Sequence, residues 1–221
     1  MENEYIVKIL KTDFVTHNVK SFIFEKPEGY KFIPGQATDT SINTPELKDE
    51  KRAFTFTSKN SDLVLQFTMK KYDGITKKIH ELNPGDGIII REPFGTIHYE
   101  NPGVFIAGGA GITPFLAIFR DIGKDEAGKS RLIFSNKTHK DIICERELKD
   151  IFGENTLLLL TEEKVKGYVH KKINKPFLKN NINESEFGGH FYICGPDKFV
   201  SDIKKNLIKL GAEEDNIIIE K

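Results

Sequence analysis

Val104-Phe105-Ile106-Ala107-Gly108-Gly109-Ala110-Gly111-Ile112-Thr113-Pro114 joins an apolar strand, a turn almost free of side chains and a helix start within eleven residues. The glycines at 108, 109 and 111 leave backbone N–H groups unshielded and permit positive φ. Thr113 is placed to cap the following helix, and Pro114 suits its first turn, where a missing N–H does no harm. The positive end of the helix dipole then faces the loop, which marks it as a site for a pyrophosphate. A dipole contributes roughly 0.3–1 kcal/mol, up to ~2 when partly buried, which is too little to hold a dinucleotide alone. Other parts of the chain must supply the rest.

Downstream of Asn101-Pro102-Gly103 the rhythm is strand, helix, strand, helix. Apolar strands are predicted over 104–107, 132–135, 156–160, 191–194 and 217–219, with helices over 114–122, 144–152 and 196–210. In the last helix Phe199, Ile203, Leu207 and Leu210 share a face, and Gly211 stands where a helix-terminating glycine belongs. Such alternation implies a doubly wound parallel sheet with helices on both faces, whose ligands bind beyond the carboxyl ends of the strands. Upstream, strands are predicted over 5–10, 19–25, 36–42, 53–58, 63–70 and 87–91. Most alternate at period two, and turn signals such as Pro27-Glu28-Gly29, Pro34-Gly35 and Asn83-Pro84-Gly85-Asp86 separate them. This half reads as an antiparallel β-barrel with one short helix over 76–82. The division falls near 98–103, giving domains over residues 1–100 and 101–221.

The 221 residues suffice for one large domain or two small ones, and either buries a sizeable core. Thirty-three basic and thirty-three acidic residues cancel, so no global field favours nucleic acid or an anionic membrane. Met1-Glu2-Asn3-Glu4-Tyr5 has neither a basic n-region nor an apolar h-region, and no apolar run approaches the ~20 residues that span a bilayer. A cytoplasmic protein without membrane insertion is expected. Cys144 and Cys194 cannot supply the four thiolates of an iron–sulfur cluster, and the six histidines form no zinc-type spacing, so no metal is expected. Only five basic residues are arginine, at 52, 91, 120, 131 and 146, so an arginine inside a short motif carries weight.

One of them opens Arg52-Ala53-Phe54-Thr55-Phe56-Thr57-Ser58. Its fork can bind a phosphate bidentately, at ~1.5–3 kcal/mol per charge-assisted bond, while Phe54 can lie against a planar ring and Thr55 can hydrogen-bond its edge. The same residues also describe an ordinary aromatic, β-branched strand with a surface arginine. Next comes Tyr72-Asp73-Gly74-Ile75-Thr76-Lys77-Lys78-Ile79-His80-Glu81-Leu82. Gly74 and Thr76 form either a second loop-to-helix anion site, capped by Thr76 or Asp73, or a plain capped surface helix. Cys194, before Gly195-Pro196, is either a small buried hydrophobe at a strand end or part of a site.

Taken in order, four of these motifs resemble those of the ferredoxin–NADP reductase superfamily. Arg52-Ala53-Phe54-Thr55 is similar to its R-x-[YF]-[ST] flavin motif and Gly74-Ile75-Thr76 to its second flavin-phosphate loop. Gly108-Gly109-Ala110-Gly111-Ile112-Thr113-Pro114 resembles its nicotinamide-dinucleotide loop, and Cys194-Gly195-Pro196 its C-G-P strand end. The resemblance implies a flavin-binding β-barrel followed by an NAD(P)-binding α/β domain, with FAD at the interface. Arg52, Ala53 and the Gly74–Thr76 loop would hold the FAD pyrophosphate, with Phe54 against the isoalloxazine and Thr55 near its N5. Gly109, Gly111, Thr113, Pro114, Cys194, Gly195 and Pro196 would hold the nicotinamide dinucleotide, so that hydride passes from its C4 to the flavin N5. Cys194 need not be a nucleophile, because the cofactors carry the chemistry and the protein supplies proximity and orientation. Pro93-Phe94-Gly95 is similar to the turn that closes the family's barrel.

The chain departs from the family pattern in three places. It ends Ile218-Ile219-Glu220-Lys221 where an aromatic commonly covers the flavin, and Glu220 is either a carboxylate near N5 or part of a frayed end. With Thr55 and Cys194, it completes the residues expected beside the reacting atoms. Phe54 stands where tyrosine is commoner, which removes one hydroxyl. These 221 residues hold no [2Fe–2S] domain, so electrons are expected to leave to a separate acceptor, flavodoxin or ferredoxin. A free-flavin, quinone or ferric-chelate reductase, an electron-input subunit of a larger complex and a non-catalytic dinucleotide sensor are the alternatives. At the adenosine 2′ position stand Ser135-Asn136-Lys137-Thr138, without a carboxylate; Lys137 and Ser135 can bind a phosphate, so NADPH is expected over NADH.

Overall fold

The computed structural model describes residues 3–220; Met1 and Glu2, from the N-terminal stretch read above, and Lys221, from the C-terminal one, lie outside them. The first half contains strands β1 (Tyr5–Thr16), β2 (Val19–Glu25), β3 (Ala37–Ile42), β4 (Arg52–Thr55), β5 (Val64–Lys70) and, after helix α1 (Ile75–Ile79), β6 (Gly87–Phe94). Their order is β4-β3-β6-β1-β2-β5 with every pair antiparallel. A bridge between Phe56 and Phe67 draws the end of β4 onto β5 and closes the sheet on itself, removing exposed edges. Inside, Phe22, Phe24, Phe56 and Phe67 are fully buried, and Phe32 stacks on Phe56 with centroids 4.1 Å apart. Each such side chain contributes roughly 1.5–3 kcal/mol over leaving it in water, so aromatic packing holds this barrel.

The second half runs β7 (Gly103–Gly108), α2 (Thr113–Ile122), α3 (Lys124–Ala127), β8 (Arg131–Asn136), α4 (Glu145–Phe152), β9 (Thr156–Leu160), α5 (Lys175–Asn181), β10 (His190–Cys194), α6 (Asp197–Ile208) and β11 (Ile217–Ile219). The sheet is parallel in the order β11-β10-β7-β8-β9. Its strands are apolar on both faces because helices cover both. Phe105, Leu132 and Phe134 pack toward α2 and α4, whereas Ile106, Ile133 and Ile193 pack toward α5 and α6. The chain leaves β7 for β8 on one side and later returns to β10 on the other, so the carboxyl end of β7 is the switch point where a crevice opens. There the glycine loop sits.

Several local expectations are corrected. Thr113 does not cap α2; the loop continues through a 3-10 turn (Gly109–Ile112) into the helix, and the Thr113 hydroxyl donates to the Ala110 carbonyl at 3.0 Å. Pro114 keeps its place in the first turn. Neither Thr76 nor Asp73 caps α1: Gly74, at φ 80°, holds that position, and the helix is shorter than the pattern predicts. Of the three loop glycines only Gly109 has positive φ, 54°. Helix α5 is an addition to the predicted elements, capped by the Asn174 side chain, which accepts from the Phe177 N–H, and β1 runs on to Thr16 through two irregularities in its pairing with β2.

Candidate functional site

Four separated segments meet at the seam between the halves. Arg52, Phe54 and Thr55 of β4, Thr68 and Lys70 of β5, Tyr72, Thr76 of α1, and Ala110 and Thr113 of the glycine loop line one cavity of about 140 Å³. Arg52 and Ala53 at its mouth are exposed, while Phe54 and Thr55 are half-buried. The Arg52 guanidinium lies 5.9 Å from the Tyr72 ring centroid and the Lys70 ammonium 6.0 Å from the same ring. Neither cation has a carboxylate within 4 Å among the described residues, although the Lys70 charge helps to hold the Asp141 carboxyl below its usual range. Two cations across a half-exposed aromatic suit a phosphate chain with a planar group beside it. The Thr76 hydroxyl is spent locally: it donates to the Tyr72 carbonyl at 2.8 Å and accepts from the Tyr72 N–H at 2.9 Å, fixing the turn that presents Gly74.

The glycines of the loop do three different things. A Cβ on Gly108 would meet the Phe199 ring at 3.1 Å, and one on Gly195 the same ring at 2.8 Å, so this pair makes room for Phe199 of α6. A Cβ on Gly111 would sit 2.3 Å from the Cys194 carbonyl oxygen, so Gly111 lets the loop close against the end of β10. Gly109 alone faces open space, with nothing within 4 Å. It is the position at which backbone N–H groups can meet a ligand.

Around Gly95 the other candidates converge. Glu220 Oε1 lies 2.9 Å from where a Gly95 Cβ would be, and Ala37, the cross-strand partner of Thr55, borders the same position. Thr96 donates to the Ile219 carbonyl at 2.9 Å, fastening the C-terminal strand beside the barrel's closing turn. Glu220 is therefore placed, not frayed. Its residue is exposed as a whole, but the carboxyl sits in the groove, and this desolvation raises its pKa. Burial, reinforced by the Glu220 charge, pushes the Cys194 thiol up to about 12, so it is a protonated neighbour in the neutral range and no thiolate nucleophile. From Cys194, Gly195 and Glu220 a second cavity, about 620 Å³, runs between α6 and β11 past Val200 and Ile208. Pro196 occupies the cap position of α6.

At the carboxyl ends of β8 and β9 the geometry adds what the sequence reading lacked. Ser135 is the register partner of Gly108, so it borders the loop. Lys137, however, pairs with Glu162 at 3.0 Å, and the Glu162 N–H donates to the Lys137 carbonyl. The carboxylate absent from 135–138 arrives from the next strand. The rule that selected Lys137, the residues just past a strand, applied to β9 finds Glu162; Lys70 and Tyr72 carried only the weaker signal of a strand end beside the Gly74 turn. Asn136 is buried with neither side-chain atom hydrogen-bonded.

The residues fit both nucleotides: two cations flank the Tyr72 ring beside Arg52, an open glycine cradle stands at 109, and both lie beside one seam. The sequence pattern of the oxidoreductase NAD-binding domain family matches residues 105–205. NADH-cytochrome b5 reductase 1 of Kluyveromyces lactis is 32% identical over 220 residues, covering 90% of this chain and 78% of its own. Among solved structures, the flavohem-like FAD/NAD-binding domain of Vibrio cholerae nitric oxide dioxygenase superposes with a TM-score of 0.86 at 18% identity, covering 100% of this chain and 98% of that one. A Neisseria gonorrhoeae ferredoxin NADP+ reductase with bound FAD and NADP does so at 0.85 and 20% identity, covering 98% of both. No helix among the described residues is long and apolar enough to cross a membrane.

Proposed function

The chain belongs to the ferredoxin–NADP reductase superfamily of flavin-dependent NAD(P)H oxidoreductases, and on that premise we propose that it oxidises NADH and passes electrons singly to a separate haem carrier. Residues 1–100 form the flavin-binding unit and 101–221 the nicotinamide unit. The observation that carries this reading is the convergence of the first three motifs on one cavity, with Arg52, Thr55, Thr76 and Thr113 all at its walls. FAD, when bound, supplies the chemistry of taking up a hydride and releasing single electrons.

The chain's own residues supply the rest. Arg52, Ala53 and the Gly74-Ile75-Thr76 turn, with Lys70, hold the FAD phosphates, and Phe54 and Tyr72 offer ring faces. Gly109 and Gly111 bring loop backbone to the dinucleotide phosphates, with Thr113 and Pro114 setting the helix behind them. Thr55 hydrogen-bonds the flavin edge. Cys194, Gly195 and Pro196 shape the nicotinamide wall, and Glu220, whose pKa burial raises, holds or releases a proton next to them.

Two departures from the sequence expectation support NADH and a haem acceptor. Lys137 is neutralised by Glu162, and a carboxylate at that position binds a ribose diol while repelling a 2′-phosphate. Relatives at this level of identity carry NADH and cytochrome b5 in their names, which favours a haem carrier over flavodoxin or ferredoxin. The test is anaerobic reduction of the FAD-loaded protein by NADH and by NADPH, followed by addition of cytochrome b5, flavodoxin, ferredoxin, free flavin or a quinone. Faster reduction by NADH and transfer to the cytochrome support the proposal. Preference for NADPH, or transfer only to the small molecules, refutes it.

A further inference from the structure

Two turns along α2 from Thr113, Arg120 leaves the parallel half and reaches the barrel. Its Nη1 donates to the Thr57 carbonyl at 2.5 Å and to Gln66 Oε1 at 3.1 Å. Its Nε and Nη2 form a fork with the Glu147 carboxylate of α4, both bonds 2.7 Å. Thr57 is fully buried, stands two residues after Thr55, and its hydroxyl bonds that of Thr68 at 3.1 Å on the wall of the Arg52 cavity. One guanidinium thus ties the helix that the glycine loop begins to the strand that carries Phe54 and Thr55.

Stability does not explain this arrangement well. Withdrawing a guanidinium and a carboxylate from water costs about what their attraction returns. The planar fork, in contrast, fixes direction as well as distance, and a lysine at the same place holds one partner at a time. What the Glu147–Arg120–Thr57 chain determines is how α2 sits against the flavin strand. Hydride transfer is sensitive to that, since reacting atoms must stand about 3–3.5 Å apart and a 1 Å misplacement costs up to ~10²-fold.

We propose that Arg120 is a positioning residue for hydride transfer, setting the separation and tilt of the nicotinamide and flavin subsites. The inference rests on the functional reading above. The test compares FAD-loaded wild type with Arg120→Met, Arg120→Lys and Arg131→Met. The last removes a comparable half-buried pair, Arg131 with Glu186 at 3.1 Å, that lies wholly within the parallel half. NAD+ is titrated into each oxidised protein while the flavin absorbance is recorded, since a stacked nicotinamide perturbs it without turnover. The limiting rate of flavin reduction by NADH is then measured anaerobically by stopped flow.

At full FAD content, Arg120→Met is expected to lose most of the NAD+-induced spectral change and at least about tenfold in limiting rate. Arg120→Lys falls between it and wild type, and Arg131→Met loses thermal stability only. Wild-type spectra and rate in either Arg120 variant overturn the proposal, as does an equal loss in Arg131→Met. Should Arg120→Met not fold, Arg120→Lys decides by the same criteria. A wild-type protein that binds no FAD, or is reduced by neither nucleotide, refutes the functional reading instead.

Discussion

Replacing Gly111 with alanine separates close packing from conformational freedom in the dinucleotide loop. The added Cβ would lie 2.3 Å from the Cys194 carbonyl oxygen and 2.6 Å from the Gly195 nitrogen. That is about 1 Å inside van der Waals contact, and because both atoms are backbone no rotamer change relieves it. Either the loop or the end of β10 must move by that amount. Overpacking of this kind costs about 1–3 kcal/mol. At about 2–4 °C per kcal/mol for a chain of this size, Tm falls by about 2–12 °C. The displacement occurs where the loop meets Cys194, so the rate of flavin reduction at saturating NADH should fall by up to ~10²-fold as well. Gly123→Ala, just past the other end of α2, is the matched control: its φ of 79° makes a side chain costly by about 1–2 kcal/mol, yet its Cβ meets nothing within 4 Å and moves no neighbour. Both variants should lose similar stability, measured by thermal melts of the FAD-loaded protein, and only Gly111→Ala should lose reduction rate in the stopped flow. A Gly111→Ala protein with wild-type rate, or a Gly123→Ala protein equally slowed, refutes the argument.

Arg52→Ala should raise the FAD dissociation constant by about 10–150-fold, the equivalent of one charge-assisted bond at ~1.5–3 kcal/mol, in a fluorescence titration of apoprotein; an unchanged constant removes Arg52 from the phosphate site. Glu162→Lys reverses one charge beside the ribose and, at ~1 kcal/mol per unit charge in solvent, should shift the NADPH-to-NADH ratio of kcat/KM by about 5–30-fold toward NADPH. Burial raises the thiol of Cys144 to about 11 and that of Cys194 to about 12, from about 9 when unfolded. Above pH 9 the unfolded chain therefore releases protons that the folded chain retains, and stability falls as pH rises from there toward those values. Denaturant melts of the Cys144→Ala/Cys194→Ala protein should show a shallower decline over that range than wild type; parallel curves would contradict the burial of the thiols.

Local chemistry was legible in the sequence, and non-local chemistry was not. The strand, glycine loop and helix of 104–122 could be read because each signal is contained within a few residues, and the parallel sheet followed from repetition of that unit. The same locality misassigned individual roles. Thr113 precedes a proline and looks like a cap, but the 3-10 turn begins the helix earlier and turns its hydroxyl back to Ala110. Gly108 reads as a phosphate glycine, whereas the residue that demands it, Phe199, lies ninety-one positions later in the chain. Glu162 carries the same strand-end signal as Lys137, but only the parallel pairing of β8 with β9 makes the two partners. Cα-level pattern has no term for such contacts.

The orientation of the two halves belongs wholly to this second kind of information, and contacts from several elements set it. Tyr192, buried under the linker, accepts from the Glu100 and Asn101 N–H groups and donates to the Asn101 carbonyl, pinning the chain where it passes between the halves. Thr96 holds β11, and Arg120 holds the segment that follows β4. Val19 and Ile97 of the barrel side are buried in the same cluster as Phe115 and Phe119 of α2, so apolar packing continues across the seam. A seam held by hydrogen bonds from several elements and filled with side chains leaves few alternative packings, because interiors at crystal-like density do not deform continuously. The motifs can therefore be short and individually weak. Once the halves are fixed, each need only present its few groups at its own end of the cleft, and the proximity that a transfer between two bound rings requires is set by residues at the seam.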